Sequence, residues 1–287
     1  MLQFQQKGDF MRLKSGFLRL LVCGMCFIPA ISQASDLDNF KGLSGTLNIA
    51  GGTAHIPVMK QAAKAVMKSN SEIRITIAGG GSGVGAQQVA KGLVEIGNTG
   101  RQLKPGEAKH GLISFPFAID GVAVIINPSN PVQALTQQEV ADIFAGKITN
   151  WQSLGGNDRP INIFTRDEAS GTRAVFVKKL LHNSPMVNHA NVVPSNGAMK
   201  TAIARDPGAI GYSSVGYIDS MVKAPTLDNV QPTNEACASG EYPIVRKLYM
   251  NTKGEPKGLV REFINFIYSP QGAEYIRASG YIPVSNK

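Results

Sequence analysis

Cysteine is almost missing from this 287-residue chain: Cys23 and Cys26 sit near its start, and only Cys237 lies further on. Beyond residue 34 no internal disulfide can form, so stability must come from a packed core. Histidine is scarce too. His55, His110, His182 and His189 show none of the spacings that hold a metal ion, so no metal and no cofactor is expected. The chain carries 29 Lys/Arg against 20 Asp/Glu, yet it has no basic tract, and Lys178–Lys179 is the one notable pair. Scattered charge of this kind argues against a nucleic-acid face. Heptads, fixed-period repeats and low-complexity segments are also lacking.

The one pronounced apolar run, "LLVCGMCFIPAI", follows Arg12, Lys14 and Arg19 and ends near the small residues of "SQA" at 32–34. It is too short for a membrane anchor and has the order of a secretory signal peptide, with cleavage expected near Ala34 and export to the periplasm or beyond. Segment 1–34 holds four of the Lys/Arg and one of the Asp/Glu, so cleavage would leave +6. That surplus implies a mild general attraction for anions.

Apolar β-branched runs alternate with helical patterns: 45–50 then 55–69, 73–78 then 84–92, 161–164 then 172–182. The alternation predicts an α/β class with largely parallel sheets. Thr136 and Glu139 have capping-box spacing, and Ser269–Pro270 reads as an N-cap followed by a first helical proline. The strand-like runs 121–127 and 209–213 bracket a segment of lobe size and predict two crossovers. The expected division is lobe I over 35–123 and 213–287, and lobe II over 124–212.

The stretch "AGGGSGVGAQ" (78–87) lies between a strand and a helix. It lacks the Lys of a phosphate loop of nucleotidases and the second Gly of a nucleophile elbow. It fits G-x-G-x-x-A, but the acid that would bind a ribose hydroxyl is missing from "TGRQLK". The plan recurs in "AGGTAH" at 50–55 and in "EASGTR" at 168–173. Three helix starts then offer free backbone N–H groups, a hydroxyl and a glycine that permits close approach, which suits one shared oxyanion. Arg166 lies four residues before Ser170 and offers forked donors for that anion, with Glu168 spaced to hold it. Arg173 and His55 are expected at the surface of their helices.

At these residues the chain resembles the phosphate-binding proteins of bacterial phosphate ABC importers, in the periplasmic-binding-protein superfamily. The resemblance rests on "LSGTLNIAGGTAHIP", "IAGGGSGVGAQQVAKGLVEIGNTGRQLK", "FAIDGVAVIINPSNPV", "IFTRDEASGTRAVF", "PGAIGYSSVGYID" and "YPIVRKLYM", in order along the mature chain. It implies a two-lobed, type II binding-protein fold, with two mixed sheets flanked by helices and joined by crossover hinge strands. Phosphate would lie in the cleft, held by Thr53, Ala54 and Ser82 from one lobe and Arg166, Ser170, Gly171 and Thr172 from the other. It also implies a monomer that hands phosphate to a membrane ABC permease.

One departure bears on selectivity. A branch of the family carries aspartate where this chain has Gly100. Monohydrogen phosphate has a proton to donate and sulfate has none, so an ionised acceptor favours the first. Asp120, in "FAIDGVAV", is the candidate replacement, set against a turn-forming aspartate before Gly121. Capture of another oxyanion (sulfate, molybdate or tungstate), a phosphate sensor or scavenger, and more remotely an exported phosphatase stand as the other readings.

Overall fold

The computed structural model describes residues 36–285, so the signal-peptide reading, with Cys23 and Cys26, lies outside the described residues. The first half of the chain forms β1 (Gly45–Gly51), α1 (Ile56–Ser69), β2 (Ile73–Gly80), α2 (Ser82–Ala90), β3 (Ile96–Thr99) and α3 (Pro105–Ala108). A long strand, β4 (Leu112–Ile126), leads to β5 (Ala134–Leu135), α4 (Gln137–Phe144), β6 (Asn162–Arg166) and α5 (Gly171–Lys179). There follow β7 (Asn191–Val193), α6 (Asn196–Arg205), β8 (Ala209–Ser214), β9 (Thr226–Leu227) and α7 (Asn234–Ser239). The chain ends with β10 (Val245–Lys253), α8 (Gly258–Tyr268), α9 (Pro270–Ala278) and β11 (Ile282–Pro283).

The capping residues act as their spacing predicts. Thr136 Oγ1 accepts from the Glu139 amide at 3.1 Å while Glu139 Oε2 accepts from the Thr136 amide at 2.7 Å. Ser269 Oγ accepts from the Gly272 amide at the start of α9. Such caps contribute about 1 kcal/mol each.

The strands run in the order β2-β1-β3-β10-β4-β8-β6-β7, with β11 on β4. β1, β2 and β3 pair in parallel, as do β6, β7 and β8, whereas β4 and β10 run antiparallel to their neighbours. The fold is therefore a mixed, curled sheet flanked by helices, as the α/β reading predicts. β4 belongs to both of its halves. Residues 112–121 pair with β10, and residues 122–126 pair with β8.

Two large hydrophobic clusters lie on either side of that switch. One gathers Leu47, Val58, Ile96, Phe117, Leu248, Phe263 and Ile267; the other gathers Val124, Phe144, Trp151, Phe176, Tyr212, Tyr242 and Ile244. The run 209–213, read from sequence as the return crossover, is β8, an inner strand between β4 and β6. Leu227, Cys237, Tyr242 and Ile244 pack in the second cluster, although the sequence division placed them in lobe I. The chain returns where the Val122 amide meets Ile244 O at 2.7 Å, immediately before β10. Segment 215–244 holds only short helical and strand pieces, so its pattern gives little sign of which core it joins.

Candidate functional site

Three helix starts meet at one small cavity. A single 3₁₀ turn at Thr53–His55 leads into α1, α2 begins at Ser82, and α5 begins at Gly171 behind its N-cap Ser170. The cavity is lined by Thr53, Ala54, His55, Ser82, Gly100, Arg166, Ser170, Gly171, Thr172 and Arg246, with Gly52 and Gly81. Helix starts leave backbone N–H groups without intrahelical partners, and the helix dipole adds partial positive charge there. Gly81 opens α2 at φ 88°, in the left-handed region, and a side chain there would meet Ala169 O at 2.7 Å. The neighbouring Gly83 amide donates to that same carbonyl at 2.9 Å, so the α2 start and the loop before α5 touch directly.

The hydroxyls share one arrangement. Ser82 Oγ accepts from the Gly100 amide at 2.9 Å, and Ser170 Oγ from the Arg173 amide at 3.2 Å. Thr53 Oγ1 accepts from the Asn196 amide and from Asn196 Nδ2, and Thr172 Oγ1 from Arg246 Nη1 at 3.0 Å. Each oxygen thus accepts from a protein N–H and donates to no protein group among the described residues, which leaves the hydroxyl hydrogen for the cavity. All four residues are buried.

Two guanidiniums complete the wall. Arg166, 2% exposed, donates from Nε to Val193 O at 3.0 Å and from Nη2 to Pro194 O at 2.9 Å. Among the described residues its Nη1 has no hydrogen-bond partner. The base of this residue is fixed by Tyr212, whose hydroxyl accepts from the Arg166 amide and whose ring stacks on Phe176 at 4.0 Å. Burial holds the Arg166 pKa below its usual value, and the Asp167 charge opposes that only in part. Arg246 enters from β10, opposite Asp120 in the ladder with β4. Its Nε donates to Asp120 Oδ2 at 2.8 Å and its Nη2 lies 2.7 Å from that same oxygen.

The residues singled out from the sequence divide clearly. Thr53, Ala54, Ser82, Gly100, Arg166, Ser170, Gly171 and Thr172 all line the cavity. Asp120 does not. Fully buried behind Arg246, it is occupied by that guanidinium and by the Ser214 hydroxyl at 2.7 Å, and burial outweighs both in raising its pKa. Glu168 does not hold Arg166 either; its carboxylate pairs with Arg173 at 2.8 Å, and main-chain carbonyls hold Arg166 instead. Sequence reading missed Arg246, although "YPIVRKLYM" contains it, and expected His55 at the surface.

His55 is fully buried beside Phe117, with Nε2 3.2 Å from Tyr249 O. Burial first, then the Arg246 charge, lowers its pKa to about 3. A folded-state pKa below the unfolded value makes low pH destabilising. The unfolded chain takes up a proton below about pH 6.5 that the folded chain refuses until about pH 3. His55→Gln should therefore flatten the fall of unfolding free energy between pH 6 and 4 by about 1.4 kcal/mol per pH unit. Denaturant titrations at those pH values check it; an unchanged slope would mean that His55 is protonated when folded.

Among the described residues no group of three His, Cys, Asp or Glu could hold a metal ion, and no helix is long and apolar enough to cross a membrane. Larger hollows elsewhere, such as one lined by Gln61, Lys64, Lys68 and Tyr275, gather no comparable set of buried donors.

Residues 41–271 match the PBP superfamily domain. The phosphate-binding protein PstS of Bacillus subtilis (strain 168) is 36% identical over 289 aligned positions, which cover 98% of this chain and 95% of that protein. A Clostridium perfringens structure with bound phosphate, assigned to a phosphate ABC transporter substrate-binding protein, superposes with a TM-score of 0.80 at 33% identity. That match covers 84% of this chain and all of the other. An ABC-type phosphate transport receptor from Vibrio cholerae superposes with a TM-score of 0.67 at 33% identity, over 82% of this chain and 99% of that one.

Proposed function

This chain belongs to the PBP superfamily, and we propose that its cavity captures inorganic phosphate and that the loaded protein delivers it to a membrane ABC permease. One observation carries the reading. The buried Arg166 directs an unpartnered Nη1 to a small cavity where four hydroxyls, each already accepting from a protein N–H, keep a hydrogen to donate. A buried cation among converging donors calls for a compact anion with acceptors on every side, which a tetrahedral oxyanion provides. The phosphate-binding relatives of similar length, one of them solved with phosphate, support phosphate as that anion.

In this reading Thr53, Ala54 and Ser82 bind phosphate from the first lobe, and Arg166, Ser170, Gly171 and Thr172 from the second. Arg246 binds from the hinge. Asp120 positions and neutralises Arg246 without touching the anion. We take the lobes as 35–120 with 245–287, and 121–244, with β4 and β10 as hinge strands. Closure of the lobes follows from ligand contacts on both sides. The protein acts as an exported monomer, and it binds without turnover. No lining hydroxyl donates to a base among the described residues, so none is activated as a nucleophile.

Capture of another oxyanion is favoured by one feature: no carboxylate lines the cavity among the described residues. Melting curves separate the two readings, because a ligand that binds only the folded state raises the melting temperature by mass action. Millimolar phosphate should raise it, and sulfate or molybdate at equal concentration should raise it less. A gain with sulfate or molybdate alone would assign the site to them.

Gly100 acquires a specific task. A Cβ there would sit 2.7 Å from Arg246 Nη1 and 3.1 Å from its Cζ, so the missing side chain makes room for the guanidinium. Gly100→Ala should push Arg246 out of line and weaken phosphate binding about 10- to 100-fold, the worth of one charge-assisted hydrogen bond. Calorimetric titration reads this directly, and unchanged affinity would remove Arg246 from the anion's contacts.

A further inference from the structure

Arg246 lines a second hollow besides the anion cavity. This groove runs along the seam between the two clusters. Arg101 and Gln102, Ala174 and Val175 of α5, and Val245 and Tyr249 of β10 line it with Arg246. Three exposed lysines, Lys178, Lys179 and Lys247, line it as well. None of the three is ion-paired among the described residues; Lys179 Nζ meets only the Pro243 carbonyl, at 3.2 Å. The other charges here are matched: Arg101 pairs with Glu107, Arg173 with Glu168 and Arg246 with Asp120. Partial burial and the neighbouring Lys178 ammonium hold the Lys179 pKa below its usual value, so these charges repel at short range.

We infer that this groove is an electrostatic funnel that gathers phosphate and speeds its association, with Arg246 as the shared end of funnel and cavity. The inference rests on the phosphate-capture reading. Clustered charge along a low-dielectric groove concentrates counter-ions and raises association rates by about 10- to 1,000-fold at low salt. Salt screens that effect over a Debye length of about 10 Å at 0.1 M. Each lysine lies outside the cavity wall, so removing it leaves the contacts of the bound anion in place and changes arrival without changing departure.

The test is stopped-flow association of inorganic phosphate with the purified protein at ionic strengths from about 0.01 to 0.5 M, where screening grows from weak to nearly complete. At the lowest salt the triple variant Lys178→Gln, Lys179→Gln, Lys247→Gln should associate about 10-fold more slowly than the parent. The gap should close at the highest salt, and the dissociation rate should not move. A control triple, Lys64→Gln, Lys68→Gln, Lys257→Gln, removes equal charge from remote exposed positions and should associate like the parent. An unaffected rate in the seam variant, an equal loss in the control, or a change confined to dissociation would each overturn the funnel. Absence of phosphate binding to the parent would instead overturn the capture reading itself.

Discussion

Arg166→Ala is expected to abolish most of the melting-temperature gain that phosphate gives, while leaving the phosphate-free protein at least as stable. The two halves of this result have different causes. Arg166 is buried with two donors spent on main-chain carbonyls; among the described residues Nη1 is unpartnered and no carboxylate forms an ion pair with it, so the nearby Asp167 charge repays only part of its desolvation. Burying such a charge costs stability, which alanine would return, offset by the loss of packing and of two hydrogen bonds. With an anion bound, the same group becomes one half of a buried charge pair. Truncating one partner of such a pair costs about 2–5 kcal/mol, or roughly 30-fold to several thousand-fold in affinity. Melting curves with and without millimolar phosphate read both halves. An undiminished gain would take Arg166 out of the site, and a large loss of phosphate-free stability would make its role structural.

Asp120→Asn separates two roles for the hinge aspartate. Asp120 accepts from Arg246 and Ser214, and Ser214 Oγ lies 3.0 Å from the Tyr281 hydroxyl, which donates to Ala54 O. Its charge therefore neutralises Arg246 from behind. Removing one partner of a buried ion pair costs about 3–5 kcal/mol because the other is left uncompensated. For a domain of this size that lowers the melting temperature by about 6–20 °C. A bound dianion would then take over as counter-ion, so phosphate and sulfate should both stabilise the variant more than they stabilise the parent. Had Asp120 accepted the anion's proton, as the candidate replacement for the missing family acid, the variant would lose phosphate binding and gain sulfate binding. Paired melting series with the two anions distinguish these patterns. A loss for phosphate beside a gain for sulfate would restore Asp120 to the anion's contacts.

What could be read from the sequence was whatever is local. A strand, a glycine turn, a hydroxyl and a helix start lie within about ten residues of one another, so all three helix starts at the cavity were visible, as were the capping residues at Thr136 and Ser269. Arg166 was visible because it ends the strand that feeds the third start. Arg246 was not. It sits in β10 as one polar residue in an alternating strand, and its partners Asp120 and Thr172 are 126 and 74 residues away. Only the register of β10 against β4 brings it to Asp120, and only the absence of a side chain at Gly100 gives it room. Glu168 misled for the opposite reason. It is near Arg166 in sequence, but β6 ends at Arg166, and Glu168 turns instead to Arg173 in the first turn of α5. His55 reads as a surface residue at a helix start, and it is buried because that start packs against Phe117 and the cavity wall.

The question first posed by Gly100 also changes form. A sequence without the family acid suggested an acceptor elsewhere, whereas the structure fills that space with Arg246. The cavity wall thereby gains a donor where a branch of the family has an acceptor. Phosphate and sulfate match in charge and nearly in size as dianions, so selectivity must then rest on how the hydroxyls and main-chain groups of the wall receive the phosphate proton.

Isothermal titration of the purified protein with phosphate, sulfate and molybdate at neutral pH tests phosphate capture most directly. The expected result is one phosphate per chain, bound more tightly than either other anion, with heat that disappears in the Arg166→Ala variant. Saturation at one sulfate or molybdate per chain, with no heat from phosphate, would contradict it.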